Sequence, residues 1–146
     1  LLVHAIVDGI VDHFFEVVEF YEEQINRVHD SVVGAPKVSY TKTLHLVLKE
    51  LTIIRRKLAP TENLLTALKE TSPENPFSPL TKTYFGDVLD HCLTILEELE
   101  AMEQSATSLL DLTFNMISHQ TNESMKLLSV VSFVFLPTTF VAGVYG

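Results

Sequence analysis

Residues 127–146 read Leu127-Leu128-Ser129-Val130-Val131-Ser132-Phe133-Val134-Phe135-Leu136-Pro137-Thr138-Thr139-Phe140-Val141-Ala142-Gly143-Val144-Tyr145-Gly146, twenty positions without a charge. At about 1.5 Å per residue, a helix of that length crosses a hydrocarbon core of about 30 Å. Lys126 is the last charge in the chain and marks the aqueous edge of this span. The segment is not a plain Leu and Ile anchor, because Ser129, Ser132, Pro137, Thr138, Thr139 and Gly143 interrupt it. Small and hydroxyl residues in a span either let helices pack closely or line a wet path, and composition alone leaves both open.

Working back from Lys126, no proline occurs between Tyr84 and Leu136. Val88, Cys92, Ile95, Leu99, Met102, Ala106, Leu109 and Met116 keep steps of three and four, a heptad-like seam suited to packing on other helices. The pattern predicts a stalk over residues 80–126 that runs without a break into the first transmembrane helix, residues 127–146. A helix of that length, about 90 Å from Asp87 to Gly146, is too long for an isolated globular domain.

Two further helices precede it. Residues 1–36 carry Val3, Val7, Ile10, Phe14, Val17, Tyr21, Ile25, Val28 and Val32 at helical steps, and Gly34 and Pro36 end the pattern. Residues 37–79 form a second helix with Leu44, Leu48, Leu51, Ile54, Leu58, Leu65 and Leu68, followed by a loop rich in proline from Thr71 to Pro79. Pro60 lies inside that helix and is expected to kink it near Ala59. The short connection around Gly34 makes the first two helices an antiparallel hairpin. The fold class is therefore all-α: a hairpin plus one very long stalk helix entering the membrane.

Composition agrees with this division. The 146 residues are 47% hydrophobic with a mean hydropathy of +0.24, high for a chain wholly in water. The net charge is −9, which excludes nucleic acid as a partner, since phosphate binding needs clustered Lys and Arg. It falls as −6 over residues 1–36, +3 over 37–79 and −6 over 80–146, so the middle helix is an electrostatic complement to its neighbours. One cysteine, Cys92, allows no intrachain disulfide, and neither a zinc-site spacing nor a nucleophile elbow occurs. The residues point away from an enzyme. Asn122-Glu123-Ser124 matches a glycosylation sequon, but a helix beside the membrane is a poor acceptor.

One face of the last helix, starting at Asn122, carries Met125, Leu128 or Ser129, Ser132, Leu136, Thr139, Gly143 and Gly146. It mixes polar rings with apolar constrictions. Amide and hydroxyl oxygens suit the water shell of a cation such as magnesium, which gives up its water reluctantly, and an apolar ring can close a path by dewetting. Periodicity does not say which face points inward. Asp111 interrupts an apolar run and reads on its own as a solvated carboxylate. Asp87, Asp90 and His91 form an acidic cluster at the start of the stalk, suited to the helix dipole or to a metal.

Asn122-Glu123-Ser124-Met125-Lys126, with Phe135-Leu136-Pro137-Thr138-Thr139-Phe140-Val141-Ala142-Gly143-Val144-Tyr145-Gly146, closely resembles the CorA family of magnesium channels, whose signature is Gly-Met-Asn after a tyrosine. Tyr145 and Gly146 stand in place of its first half. Tyr84-Phe85-Gly86-Asp87-Val88-Leu89-Asp90-His91 is similar to the family's stalk opening, and Arg55-Arg56-Lys57-Leu58-Ala59-Pro60 to its second hairpin helix. The wording Leu136 to Gly143 resembles that of eukaryotic, fungal members.

The resemblance implies a homo-oligomer, a pentamer, with the hairpin outside a funnel and the long helix as stalk and pore lining. It implies a pore mouth at Asn122, gate residues at Met125 and Leu128, and deeper pore-facing positions at Leu136 and Thr139. Ser129, Ser132, Gly143 and Gly146, on the face read from helical spacing, complete the lining; the resemblance makes Asp111 a regulatory metal ligand between subunits, and Asp87, from the acidic cluster, is a second metal candidate. Magnesium is the expected ion, both transported and regulatory, with the lipid bilayer as the other partner. Residues 1–126 are expected on the cytosolic side of the plasma membrane. Alternatives are a zinc or other divalent cation transporter of the same fold, and a membrane-anchored helical scaffold. The second half of the signature, a second transmembrane helix and an N-terminal α/β domain lie outside these 146 residues, so by resemblance the fragment alone is expected not to carry magnesium.

Overall fold

A computed structural model describes residues 2–70 and 77–146. It contains three helices: α1 (Leu2–Gly34), α2 (Val38–Lys69) and α3 (Pro79–Tyr145). The connection after Gly34 is as short as expected, with the amide of Ala35 closing on the carbonyl of Ser31. Of the expected loop, residues 71–76 lie outside the described residues. α3 begins at Pro79, earlier than the expected loop allows. The physical reason is local: Ser78 caps the helix through Oγ to the amide of Thr81, and proline at the first helical position loses no bond it could have made. Phe77 stacks edge-on against buried Phe85 at 5.2 Å between ring centroids, which ties this start to the core.

α2 continues through Pro60 without a break. Pro60 is exposed, so the carbonyl it deprives of a partner, that of Arg56, belongs to a turn that water can reach.

The core is a seam along α3. Phe85, Val88, Cys92, Ile95, Leu99 and Ala106 are fully buried, with Met102 and Leu109 nearly so, which is the heptad-like pattern of the sequence. On α2, Leu44, Leu51, Leu58 and Leu65 face it at steps of seven. α1 follows expectation in its second half, where Ile25, Val28 and Val32 are buried, and differs in its first, where Val11 and Val18 are buried while Val3 and Ile10 are about half exposed. Two overlapping rows of apolar residues run along α1, and helical periodicity cannot rank them. Both α1 and α2 pack chiefly on α3 and little on each other, so the hairpin is held together through the stalk.

Polar contacts reinforce this arrangement. Glu103 on α3 accepts a hydrogen bond from Thr52 Oγ1 at 2.9 Å and pairs with Arg55 Nη2 at 3.1 Å, joining α2 to α3. That is where the charge complement of the middle helix is realised. Tyr21 donates its hydroxyl to Glu50, linking α1 to α2; burial first, and then the Glu50 carboxylate, push its phenol up to about 12. Buried Thr113 donates to the carbonyl of Leu109, so it leaves no unmet donor in the core. Burial, and then the charge of Glu62, push the Cys92 thiol above its ordinary value and keep it protonated.

Packing ends abruptly. Thr113 is the last buried residue of α3, Met116 and Ile117 are half-buried, and residues 118–146 are exposed throughout. These 29 positions project beyond the bundle for about 40 Å as a single helix.

Candidate functional site

α3 is long and apolar enough at its C-terminal end to cross a membrane, and none of that stretch is buried within the chain. Leu128, Phe133, Phe135, Leu136 and Phe140 are all well over half exposed. A row of this size cannot face water and needs lipid or other helices around it. Pro137 sits inside the helix without ending it. The hydroxyls bond back along the helix: Ser129 to the carbonyl of Met125 at 2.9 Å, Thr138 to that of Val134 and Thr139 to that of Phe135, both at 2.8 Å. Each hydroxyl thereby spends its one proton within the helix and presents oxygen lone pairs outward.

The predicted face is continuous. Met125, Leu128, Ser129, Ser132 and Leu136 line one shallow groove along the helix with Phe133 and Pro137, and Ser132, Leu136 and Thr139 line the next with Phe135 and Phe140. Asn122 lies with Met125 and Ser129 at the near end, beside Glu123 and Lys126. Gly143 and Gly146 follow one and two steps beyond Thr139, with open space around Gly143.

This face has a fixed relation to the packed one. The seam Ile95, Leu99, Met102, Ala106, Leu109, Thr113, Met116, continued in the same steps, passes through Gln120, Glu123, Leu127, Val130 and Val134. Asn122, Met125, Ser129, Ser132 and Leu136 each lie two residues beyond one of those positions. Two residues turn a helix by about 200°, so the candidate face is opposite the face that holds the hairpin.

Carried back up the stalk, the same opposite face shows Asp87, Asp90, Thr94, Glu97, Ala101, Gln104, Ser108, Asp111, Asn115 and Ser118 before Asn122. All are exposed, and none is Lys or Arg. Asp111 and Asp87 thus share a face with Asn122, although they stand on separate turns. The sequence contained this stripe, but singling it out requires knowing which side of α3 the hairpin covers.

The acidic cluster at the start of the stalk is rearranged. His91 meets Asp8 and Asp12 of α1, all three offering ligand atoms within 4.8 Å of one another, and His91 Nδ1 is 3.4 Å from Asp12 Oδ1. Phe15 stacks on the His91 ring at 5.8 Å. Asp87 and Asp90 are exposed and not part of this group. Asp8 and Asp12 were missed as site residues because they are some eighty positions away in sequence; only their i, i+4 spacing on one helix face signalled a pair.

The whole chain, residues 1–146, matches the family described as CorA-like Mg2+ transporter protein. It is 30% identical over 149 residues to the cobalt/magnesium transport protein CorA of Thermotoga maritima, covering 99% of this chain and 41% of that protein. It is 26% identical over 142 residues to the zinc transport protein ZntB of Yersinia enterocolitica, covering 97% of this chain and 42% of that protein. Among solved structures, the CorA magnesium transporter from Methanocaldococcus jannaschii superposes with a TM-score of 0.85 at 20% identity, over 99% of this chain and 45% of that one, which gives the same fold. The chain thus spans less than half the length of the relatives it matches. The match over every residue, together with the stalk that becomes a membrane span, establishes that the chain belongs to the CorA-like Mg2+ transporter family.

Proposed function

We propose that this chain is the stalk and pore-lining part of a magnesium channel, in which the face of α3 opposite the hairpin encloses the ion path. The observation that carries the reading is the stripe from Asp87 to Ser132, exposed and free of bases, which turns from acidic to hydroxyl-bearing as it enters the span. A single helix offers one wall of a path, so several copies are needed to close it, and cyclic symmetry, as a pentamer, is the arrangement we assign. Hydrated magnesium turns its water hydrogens outward. Ser129 and Thr139, with their own protons engaged on the helix, meet that shell as acceptors. Met125 and Leu128 then act as an apolar gate inside the mouth formed by Asn122, with residues 1–126 on the cytosolic side of the plasma membrane.

The test uses the intact protein. Replacing Ser129, Ser132 and Thr139 together by Leu is expected to abolish magnesium uptake while leaving membrane insertion unchanged. Full uptake by that variant, in cells that depend on it for magnesium, would return the span to the role of a simple anchor for a helical scaffold. The ZntB relative favours a second reading, zinc as the ion on the same path, and competition between zinc and magnesium for uptake separates the two.

Asp111 belongs to this reading as a regulatory ligand, with Asp87 as a second metal-binding carboxylate on the same face. In a ring, copies of Asp111 repel one another unless a divalent ion or a proton neutralises them. An ion bound there shifts the channel toward closure only if it binds the closed geometry better than the open one. Asp111→Asn keeps the size and removes the charge, so the intact channel is expected to close less completely at high intracellular magnesium. An unchanged magnesium dependence of the current in that variant would leave Asp111 as a solvated carboxylate.

A further inference from the structure

The chain carries three methionines, and the fold gives each a different access to water. Met102 lies in the α3 seam and is 7% exposed, Met116 is half-buried where the packing ends, and Met125 is 59% exposed. The remaining sulfur, that of Cys92, is fully buried and held protonated. A peroxide oxidises a thioether or a thiolate that it can reach, so exposure singles out Met125.

Met125 stands at the water edge of the gate. It lines the polar groove with Asn122, Glu123 and Lys126, and also the apolar groove with Leu128, Phe133 and Leu136. Lys126, the last charge of the chain, follows it directly. A small water-borne oxidant therefore meets the Met125 sulfur at the mouth of the path, without crossing hydrocarbon.

We propose that Met125 is a site of oxidative modification, at which a peroxide converts the thioether to a sulfoxide and opens the apolar gate to water. This rests on the gate assigned above and adds a chemical control to it. In the step, a sulfur lone pair attacks one oxygen of hydrogen peroxide. The O–O bond breaks as the S–O bond forms, and the departing hydroxide takes the proton left on the transferred oxygen and leaves as water. Sulfur loses two electrons and the peroxide gains them.

The product sets a strongly polar oxygen where an apolar sulfur stood. Thr121 and Ser129, the hydroxyls four residues to either side, have their protons engaged on the carbonyls of Ile117 and Met125. The new oxygen is thus left to water from the mouth. In a ring every copy brings one such oxygen to the same constriction, and the cost of wetting it falls.

The test measures the leak current of the intact protein in a planar bilayer before and after hydrogen peroxide, with peptide mass spectrometry to locate the added oxygen. The expected result is sulfoxide at Met125 ahead of Met116 and Met102, and a leak about tenfold above that of the untreated parent, the size expected for serine at this position. Met125→Leu keeps an apolar side chain and removes the sulfur, so its current, whatever its starting level, is expected to ignore peroxide. No sulfoxide at Met125 overturns the site. A leak that rises equally in Met125→Leu, or sulfoxide at Met125 without a change of current while Met125→Ser leaks, overturns the switch and leaves the gate standing. If neither Met125→Ser nor the oxidised parent leaks, gate and switch fall together.

Discussion

Leu99→Ala is expected to destabilise the bundle by about 2–5 kcal/mol, because the side chain is fully buried at the centre of the α3 seam and its removal leaves a cavity as well as lost apolar burial. Against a total stability of about 5–15 kcal/mol for an ordinary domain, that is a large fraction. Glu97→Ala, two residues earlier and exposed on the opposite face, is expected to change stability by no more than about 0.5 kcal/mol. Thermal unfolding of the two variants of the intact protein makes the comparison within one helix. Equal losses would mean that the stalk is packed all round, and the assignment of an open, pore-directed face would fall with it.

The other large effect is expected at the gate. Met125 and Leu128 are apolar, exposed in the single chain and set on the face that bears Asn122. When copies bring these side chains together, water in the constriction loses hydrogen bonds and withdraws, and an ion cannot pass without its shell. Serine at either position supplies hydrogen-bonding groups and reduces the cost of wetting. A reduction of about 1.4 kcal/mol makes the wet state tenfold more populated, so Met125→Ser and Leu128→Ser are each expected to raise leak current at saturating magnesium by about that factor. Currents equal to the parent's in both variants would remove the gate from this level of the helix.

The residues of the stalk seam were legible in the sequence from Val88 to Leu109, since an uninterrupted run of threes and fours over many turns has one apolar solution. α1 was not. Val3 and Ile10 belong to a row as regular as Val11 and Val18, and which of the two is buried depends on where α3 lies. Pro79 reads as loop because prolines precede it, yet at the first turn of a helix its missing N–H costs nothing. His91 groups with Asp87 and Asp90 by proximity in sequence, whereas packing brings it to Asp8 and Asp12 from another helix.

By itself the sequence determined three things about this protein: that it is helical, that its last twenty residues leave water, and that one face of that span is polar at helical spacing. Each follows from local chemistry, namely apolar period, absence of charge and hydroxyl placement along one helix. The tertiary structure alone decided which face is free. The hairpin covers one side of α3 from Phe85 to Thr113, and that coverage makes the opposite stripe, from Asp87 to Asp111, the exposed one, which continues in the same steps to Asn122 and Met125. A helix has no inside or outside until something packs against it, so the direction of a side chain about its axis is set by contacts between residues distant in sequence.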